Sequence, residues 1–411
     1  MEENTIKPLL LIFPFDLLSH YLRCLMLARH FSSCFEIRFA HSERYADFIT
    51  QEGYQTFYCK SFDAQEVMTG AKNFDFSWIN EEALTTVYLD QVRNIKIFQP
   101  FAVLGDTSLT LKMAAEKTGI TYISLMNGYM SKYYAFSRKI SRTHPFYKYV
   151  NLLSGQVLDL VTEKGEALAF YKLHRPFKKI RLEYNLLKKI SYLDELEGDI
   201  NLICDLPVMF PQNPLPANYT LIAPLYYDTE IIYSQIKSRL DKNKKTIFVT
   251  MGSTGDWENV TFLNNPWFAK YNIVTAGDSA FILNADHIIN TAFINIHEIF
   301  NVTDLVICQG GNGSIYQSLL YGIPLLCKTN NFEQEWNVEA LIRLNAGASL
   351  DGIETPGDCI NLVENWIEKK NFNLKELLQT QIKMQSGNLA TVIRKIATGL
   401  LQSTATDLQL L

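Results

Sequence analysis

The chain has no closely spaced cysteine pair. Its seven cysteines (24, 34, 59, 204, 308, 327 and 359) are scattered and odd in number. That argues against a disulfide framework and fits reduced thiols in a cytosolic protein. No Asp-x-Asp occurs, and no His/Cys cluster has ligand spacing, which argues against a metal-dependent transferase. No G-x-S-x-G elbow is present, so a serine hydrolase has little support. No apolar run reaches the roughly 18 residues of a membrane span. The start, Met1-Glu2-Glu3-Asn4, lacks the basic region and cleavage site of a signal peptide. Charge of one sign is also lacking. Lys and Arg number 38 against 43 Asp and Glu, a net of −5, so no general electrostatics for nucleic acid are evident. A cytoplasmic location is expected. At 411 residues and 47% hydrophobic, the chain has room for two or three domains with sizeable cores.

The first half alternates short apolar runs with helical patterns. Residues 9–13 read as a strand, and Leu18, Leu22, Leu25 and Met26 mark one face of a helix. Strands are expected at 36–40, 102–105 and 121–125, and helices at 43–53 and 108–118, closed by Gly53 and Gly119. This alternation predicts right-handed βαβ units and a parallel sheet. Residues 150–196 read as long, basic and helical. Pro207, Pro211, Pro214, Pro216 and Pro224 then punctuate an approach to a domain boundary. The second half restarts the pattern, with strands expected at 246–251, 272–276, 287–290, 304–308 and 325–328. Helices follow Ser314, Glu333 and Thr355, and a last helix covers about 374–401, with residues 403–411 frayed.

The most informative segment is 304–337. An apolar strand stops in Gln309-Gly310-Gly311-Asn312-Gly313, and Ser314 opens a helix ended by Gly322 before Pro324. A strand, a Gly-rich turn and a helix start form an anion site, because free N–H groups and the helix dipole converge there. A phosphate is the expected guest, although such a turn can also serve only to reverse the chain.

The order Gly-Gly-x-Gly-Ser, then Tyr321-Gly322-Ile323-Pro324, then Glu333-Gln334 and Asn337, resembles the donor-binding box of the UDP-glycosyltransferase family, glycosyltransferase family 1-like. The resemblance extends to residues 9–14 with Ser19-His20, to Val103-Leu104-Gly105-Asp106, to 215–225 and to 246–253. It implies an α/β fold of GT-B type: two Rossmann-like domains with parallel sheets facing across a cleft, where ligands gather at the carboxyl ends of the strands. The implied division is an acceptor domain over 1–228, a nucleotide-sugar domain over 229–385, and a returning helix with tail over 386–411.

His20 lies at the carboxyl end of the first strand, one residue past Ser19, which reads as an N-cap. It matches the family's catalytic histidine, and imidazole suits removal of a proton from a hydroxyl. A solvent-facing helix-start histidine is the plainer alternative. Asp106 matches the partner aspartate that orients the histidine, or it caps the following helix. For donor binding the resemblance implies Gly252, Ser253, Thr254, Ile294, Gln309, Gly311, Asn312, Gly313, Ser314, Gln317, Glu333 and Gln334. Three of these depart from the family. Gln309 stands for a pyrophosphate-binding His and brings no positive charge. Gln317 stands for a Glu that accepts two ribose hydroxyls, with one acceptor oxygen instead of two; Ser314-x-x-Gln317 also reads as a capping box. Glu333 stands for a sugar-binding Asp.

Phe15, Asn127, Tyr129 and Tyr133 are the expected acceptor contacts. The stretch 129–149, rich in Tyr, Phe, Lys and Arg, reads as an aromatic aglycone pocket, as a patch touching anionic lipid, or as an ordinary amphipathic surface. The expected activity is metal-independent, inverting hexosyl transfer from a nucleotide diphosphate donor, UDP-sugar favoured, to a hydroxyl of a small hydrophobic or lipid-like acceptor, as in natural product glycosylation. No cofactor, metal or nucleic-acid partner is expected; peripheral membrane contact and the oligomeric state stay open. The other reading is a degenerate relative that binds a ligand or activates a partner without catalysis.

Overall fold

In the computed structural model the described residues are 7–150, 152–227, 236–252, 255–277, 280–292, 294–353, 355–368 and 375–409. The chain divides into two compact units. One comprises Met1–Ile140, Pro145–Tyr227 and Gln385–Leu411; the other comprises Ser141–His144 and Asp228–Met384.

The first unit is built on seven strands: β1 Leu9–Pro14, β2 Glu36–Ala40, β3 Gln55–Phe57, β4 Ala102–Asp106, β5 Thr121–Met126, β6 Ile200–Ile203 and β7 Tyr219–Leu221. Their order is β3-β2-β1-β4-β5-β6-β7, and every pairing is parallel. The central strands are near-continuous apolar runs because helices cover both faces of such a sheet. Order reverses between β1 and β4, whose last residues, Pro14 and Asp106, pair directly. The carboxyl ends of strands at such a reversal are where this architecture places ligands. Helix Leu18–Phe31 follows β1 and buries Tyr21, Cys24, Leu25 and Ala28 against Leu10, Ile12, Leu104 and Ile123.

The second unit carries β8 Thr246–Thr250, β9 Asn272–Ala276, β10 Ile288–Thr291, β11 Leu305–Cys308, β12 Leu325–Cys327 and β13 Gly347–Ser349. Their order is β10-β9-β8-β11-β12-β13, again with every pairing parallel, and the reversal falls between β8 and β11. Ile247, Val249, Ile273, Leu305 and Ile307 form the centre of its core.

Several boundaries differ from expectation. The helix after β1 begins at Leu18 with Leu17 as its N-cap residue, so Ser19 lies inside the first turn and caps nothing. The helix after the Gly-rich turn starts at Asn312, two residues before Ser314, and its N-cap is Gly311. The Ser314-x-x-Gln317 capping box therefore does not form. Asp106 is no cap either, since the following helix is Leu111–Thr118 with N-cap Thr110. The basic stretch 150–196 breaks into helices Gly155–Leu173, Arg175–Glu183 and Tyr192–Glu195. The C-terminal helix runs Lys375–Gln409, past the Ser403 at which fraying was expected.

Leu389, Ile393, Ala397 and Leu400 of that last helix belong to the core of the first unit. Ile393→Ala should cost about 2–5 kcal/mol in urea unfolding, from lost burial and the cavity left behind. Exposed Lys395→Ala should change stability by no more than about 0.5 kcal/mol.

Candidate active site

At the reversal in the first sheet, His20 Nδ1 lies 3.0 Å from Asp106 Oδ1. Both side chains are buried, Asp106 completely. The carboxylate is held from a second side by Arg23, one turn along the same helix. Arg23 Nε donates to Asp106 Oδ2 at 2.9 Å and Nη2 to Oδ1 at 2.7 Å. Arg23 Nη1 also donates to Asn127 Oδ1, and Asn127 Nδ2 donates to the Tyr129 hydroxyl at 2.5 Å. Burial pushes the Asp106 carboxyl up, but the Arg23 charge and then His20 outweigh it and hold it below the usual range. Burial likewise works against the Arg23 charge, and the Asp106 carboxylate overcomes it, raising the guanidinium above its ordinary value.

This arrangement selects the histidine tautomer. An ionised carboxylate only accepts hydrogen bonds, so the nitrogen facing it at 3.0 Å must carry the proton. Arg23 Nη2, 3.1 Å from the same nitrogen, has Asp106 Oδ1 as its acceptor. Nε2 is then the nitrogen with the free lone pair.

Beside His20 lies a recess. The Phe15 ring sits 5.7 Å from the imidazole, centroid to centroid, and packs on Phe62 and Trp78. Phe13, Phe15, Phe62, Val87 and Leu109 line it together with Asp16, His41, Lys60, Ser61, Gln91 and Ser108, so its wall is mixed, and His20 reaches it through the Phe15 ring. Among the described residues Asp16 Oδ1 is buried with no hydrogen-bond partner. Of the four expected acceptor contacts, only Phe15 borders this recess. Asn127 and Tyr129 are buried in the Arg23 network, and Tyr133 packs edge-on against Tyr219.

At the reversal in the second sheet, β11 ends at Cys308 and the chain turns through Gln309, Gly310 and Gly311 into helix Asn312–Tyr321. Gly310 has φ +88°, and a Cβ there would meet Val338 Cγ2 at 3.0 Å, so only glycine suits the position. Asn337 Nδ2 pins the turn by donating to the Gly310 carbonyl at 2.9 Å. No side chain caps the helix. The first-turn N–H groups of Asn312, Gly313 and Ser314 therefore have no intrahelical acceptor, and the helix dipole adds positive potential there. A Cβ added at Gly313 would meet nothing within 4 Å, so the helix start has open space over it. Gly252, just past β8, has φ +56°, and a Cβ there would overlap the Gln309 amide. Gln309, Gly311, Asn312, Gly313, Ser314 and Gly252 thus gather at one end of this sheet. Gln317 follows on the same helix. Glu333 is half-buried, whereas Gln334 is buried and its Oε1 accepts the Asn330 N–H at 2.7 Å. Ile294 is buried beside Asn295, the N-cap of helix Ile296–Phe300. Ser253 and Thr254 lie outside the described residues. Among the described residues no group of three or more His, Cys, Asp or Glu is placed to hold a metal ion.

Residues 232–390 match the glycosyltransferase family 28 C-terminal domain. The chain is 24% identical over 349 residues to a PGL/p-HBAD biosynthesis glycosyltransferase of Mycobacterium tuberculosis (strain ATCC 25177 / H37Ra), covering 81% of this chain and 78% of the relative. Its fold is similar to that of the calicheamicin glycosyltransferase CalG4, with TM-score 0.73, 14% identity and coverage of 96% and 98% of the two chains. It is also similar to the spinosyn rhamnosyltransferase SpnG complexed with thymidine diphosphate, with TM-score 0.70, 13% identity and coverage of 94% and 99%. The chain is a glycosyltransferase of GT-B type.

Sequence reading of this glycosyltransferase passed over Arg23. The signal was present: a lone cation between Leu22 and Cys24, three residues after His20, on a helix that otherwise buries apolar side chains. A charge in such a place requires a buried counter-charge, and Asp106 at the end of a buried strand is one. Asp106→Asn strands the Arg23 charge and should cost about 3–5 kcal/mol at neutral pH in urea unfolding. The native carboxyl is depressed, so its contribution is complete above its unfolded value of about 3.9 and is lost as pH falls through the native one. The gap between wild type and Asp106→Asn should therefore close only in strong acid.

Proposed function

We propose that this glycosyltransferase moves a sugar from a pyrimidine nucleoside diphosphate to a hydroxyl of a hydrophobic acceptor, inverting the anomeric carbon. The buried His20–Asp106 pair carries the reading, with the Phe15 ring of a mixed polar and apolar recess against the imidazole. His20 Nε2 takes the acceptor's hydroxyl proton while Asp106 holds Nδ1–H and stabilises the imidazolium that forms. The acceptor oxygen bonds to the anomeric carbon, and the bond from that carbon to the diphosphate oxygen breaks, its electron pair leaving with the diphosphate. The N–H groups of Asn312, Gly313 and Ser314 receive the developing charge. Gln309 adds a neutral donor, Gln317 the ribose contact, and Glu333 a sugar hydroxyl contact; Ser253 and Thr254 would serve the phosphates. Phe15 and the recess walls take the acceptor. Two considerations put thymidine ahead of uridine: Gln317 offers one acceptor oxygen where two ribose hydroxyls would need two, and a structural neighbour is complexed with thymidine diphosphate. The non-catalytic reading rests on Gln309, Gln317 and Glu333.

Thermal melting of the full chain with TDP, UDP and GDP tests the donor. A nucleotide at about 100 times its Kd adds about 2.7 kcal/mol of stability, and TDP should give the largest rise in Tm. With the matching sugar donor and phenolic or lipid-like alcohols, His20→Ala should lower kcat by about 10²- to 10⁴-fold while keeping the TDP-induced rise. Folded wild type that binds no nucleotide and turns over no sugar in a broad screen would instead favour the non-catalytic reading.

A further inference from the structure

The exposed apolar surface of this protein is concentrated. Twelve of the eighteen large apolar side chains that stand exposed among the described residues fall within residues 136–190. The centre of this region is helix Gly155–Leu173, which buries none of its residues. Along it Val157, Leu160, Val161, Leu168 and Tyr171 are between 39% and 57% exposed. At 3.6 residues per turn, these five positions and Lys164 share an arc of about 100°. The opposite side faces the protein: Glu166 pairs with buried Arg138, and Phe170 stacks on Tyr192 with centroids 6.0 Å apart. Phe146, Tyr149 and Leu152, just before the helix, are exposed as well. An ordinary surface helix turns its apolar stripe inward; this one turns it out.

The charge of the same segment is opposite to that of the chain. Residues 136–190 hold twelve Lys and Arg against four Asp and Glu, while the whole chain is at −5. Some of these cations sit at the stripe itself. Arg175 lies 6.0 Å over the Tyr171 ring and Lys148 5.0 Å over the Tyr149 ring. Lys164 and Lys172 are exposed on the helix. Apolar side chains interleaved with cations match the two layers of an anionic bilayer surface, with acyl chains below and negative headgroups above. No described helix is long and apolar enough to cross a membrane, so the helix would lie in the interface.

We propose that helix Gly155–Leu173 and the segment before it dock this protein on an anionic lipid surface. Val157, Leu160, Val161 and Leu168 enter the acyl boundary, and Lys148, Lys164, Lys172 and Arg175 meet the headgroups. This is independent of the donor and of the His20 reading.

Sedimentation of the full chain with vesicles tests the proposal. The protein should bind phosphatidylglycerol–phosphatidylcholine vesicles, bind pure phosphatidylcholine more weakly, and release as salt rises. Leu160→Asp with Val161→Asp should weaken binding about tenfold or more, since each loses well over 1.4 kcal/mol of burial. Lys148→Glu with Lys172→Glu should weaken it on anionic vesicles and reduce its salt dependence, which provides a second test if the first variant misfolds. Ile97→Asp, at an exposed apolar position on a different helix, should bind as wild type does. The proposal is overturned if wild type ignores anionic vesicles or if both double variants bind unchanged. It is equally overturned if size exclusion shows a dimer that Leu160→Asp with Val161→Asp dissolves, which would make the stripe a contact between copies.

Discussion

The buried Arg23–Asp106 ion pair is the constraint on which the first unit's candidate site rests. A carboxylate taken fully out of water is tolerated only with an opposite charge and its remaining lone pairs filled. Arg23 supplies the charge in a two-pronged contact, and His20 fills a further lone pair. The three residues come from two elements that meet only because β1 and β4 are neighbours at the sheet's reversal. The imidazole is thus oriented by a buried ion pair, which also settles its tautomer. Preorganisation of this kind moves the cost of ordering from the reaction to the fold.

The candidate anion site of the second unit is built by other means. It has backbone N–H groups at an uncapped helix start and a neutral Gln309 amide in place of a charged side chain. Glycine is required at Gly252 and Gly310 for the same reason at both: positive φ and a neighbour in the space a Cβ would take. At Gly252 that neighbour is Gln309 itself, so the substituted side chain is seated where the two strand ends come together. An amide fits there without the desolvation cost that an imidazolium would carry. In the proposed transfer, the leaving diphosphate would then rest on dipoles fixed by the fold, which need no counter-charge of their own.

Most of the architecture was legible in the sequence because central parallel strands are unbroken apolar runs. β2 and β9 fall where expected, and β1, β4, β5 and β11 within a residue. The short outer strands β3, β6 and β7 have three or four residues each and little pattern. Helix Glu81–Phe98 escaped notice although it is 18 residues long, because its buried face includes Asp90, Gln91 and Asn94. Those side chains are satisfied locally, for instance by the Lys60 N–H on Asp90 and by Thr110 on Gln91. Polar residues on an inward face erase the periodicity that sequence reading depends on. The same blind spot hid Arg23. His20 and Asp106 were found through a motif, whereas Arg23 becomes visible only when one asks what neutralises a buried carboxylate.

The aromatic and basic stretch 129–149 admitted three readings in sequence because its residues do different work. Tyr129 and Tyr134 turn inward onto Phe210, whereas Phe146 and Tyr149 point to solvent. Arg138 joins the two parts. Its Nη2 donates to the Ser131 carbonyl at 2.8 Å, its Nε to the Tyr129 carbonyl, and its Nη1 to Glu166 on helix Gly155–Leu173. A continuous set of contacts therefore runs from His20 through Arg23, Asn127, Tyr129 and Arg138 to the helix with the outward stripe. The outward stripe of that helix adds little in the isolated chain; the helix is held from its other side by the Arg138–Glu166 pair and the Phe170–Tyr192 stack. Apolar surface kept in water, on an element fixed by a buried ion pair, has its favourable free energy still to be realised. Whatever covers the stripe supplies it, and the cations beside the stripe select a negatively charged partner.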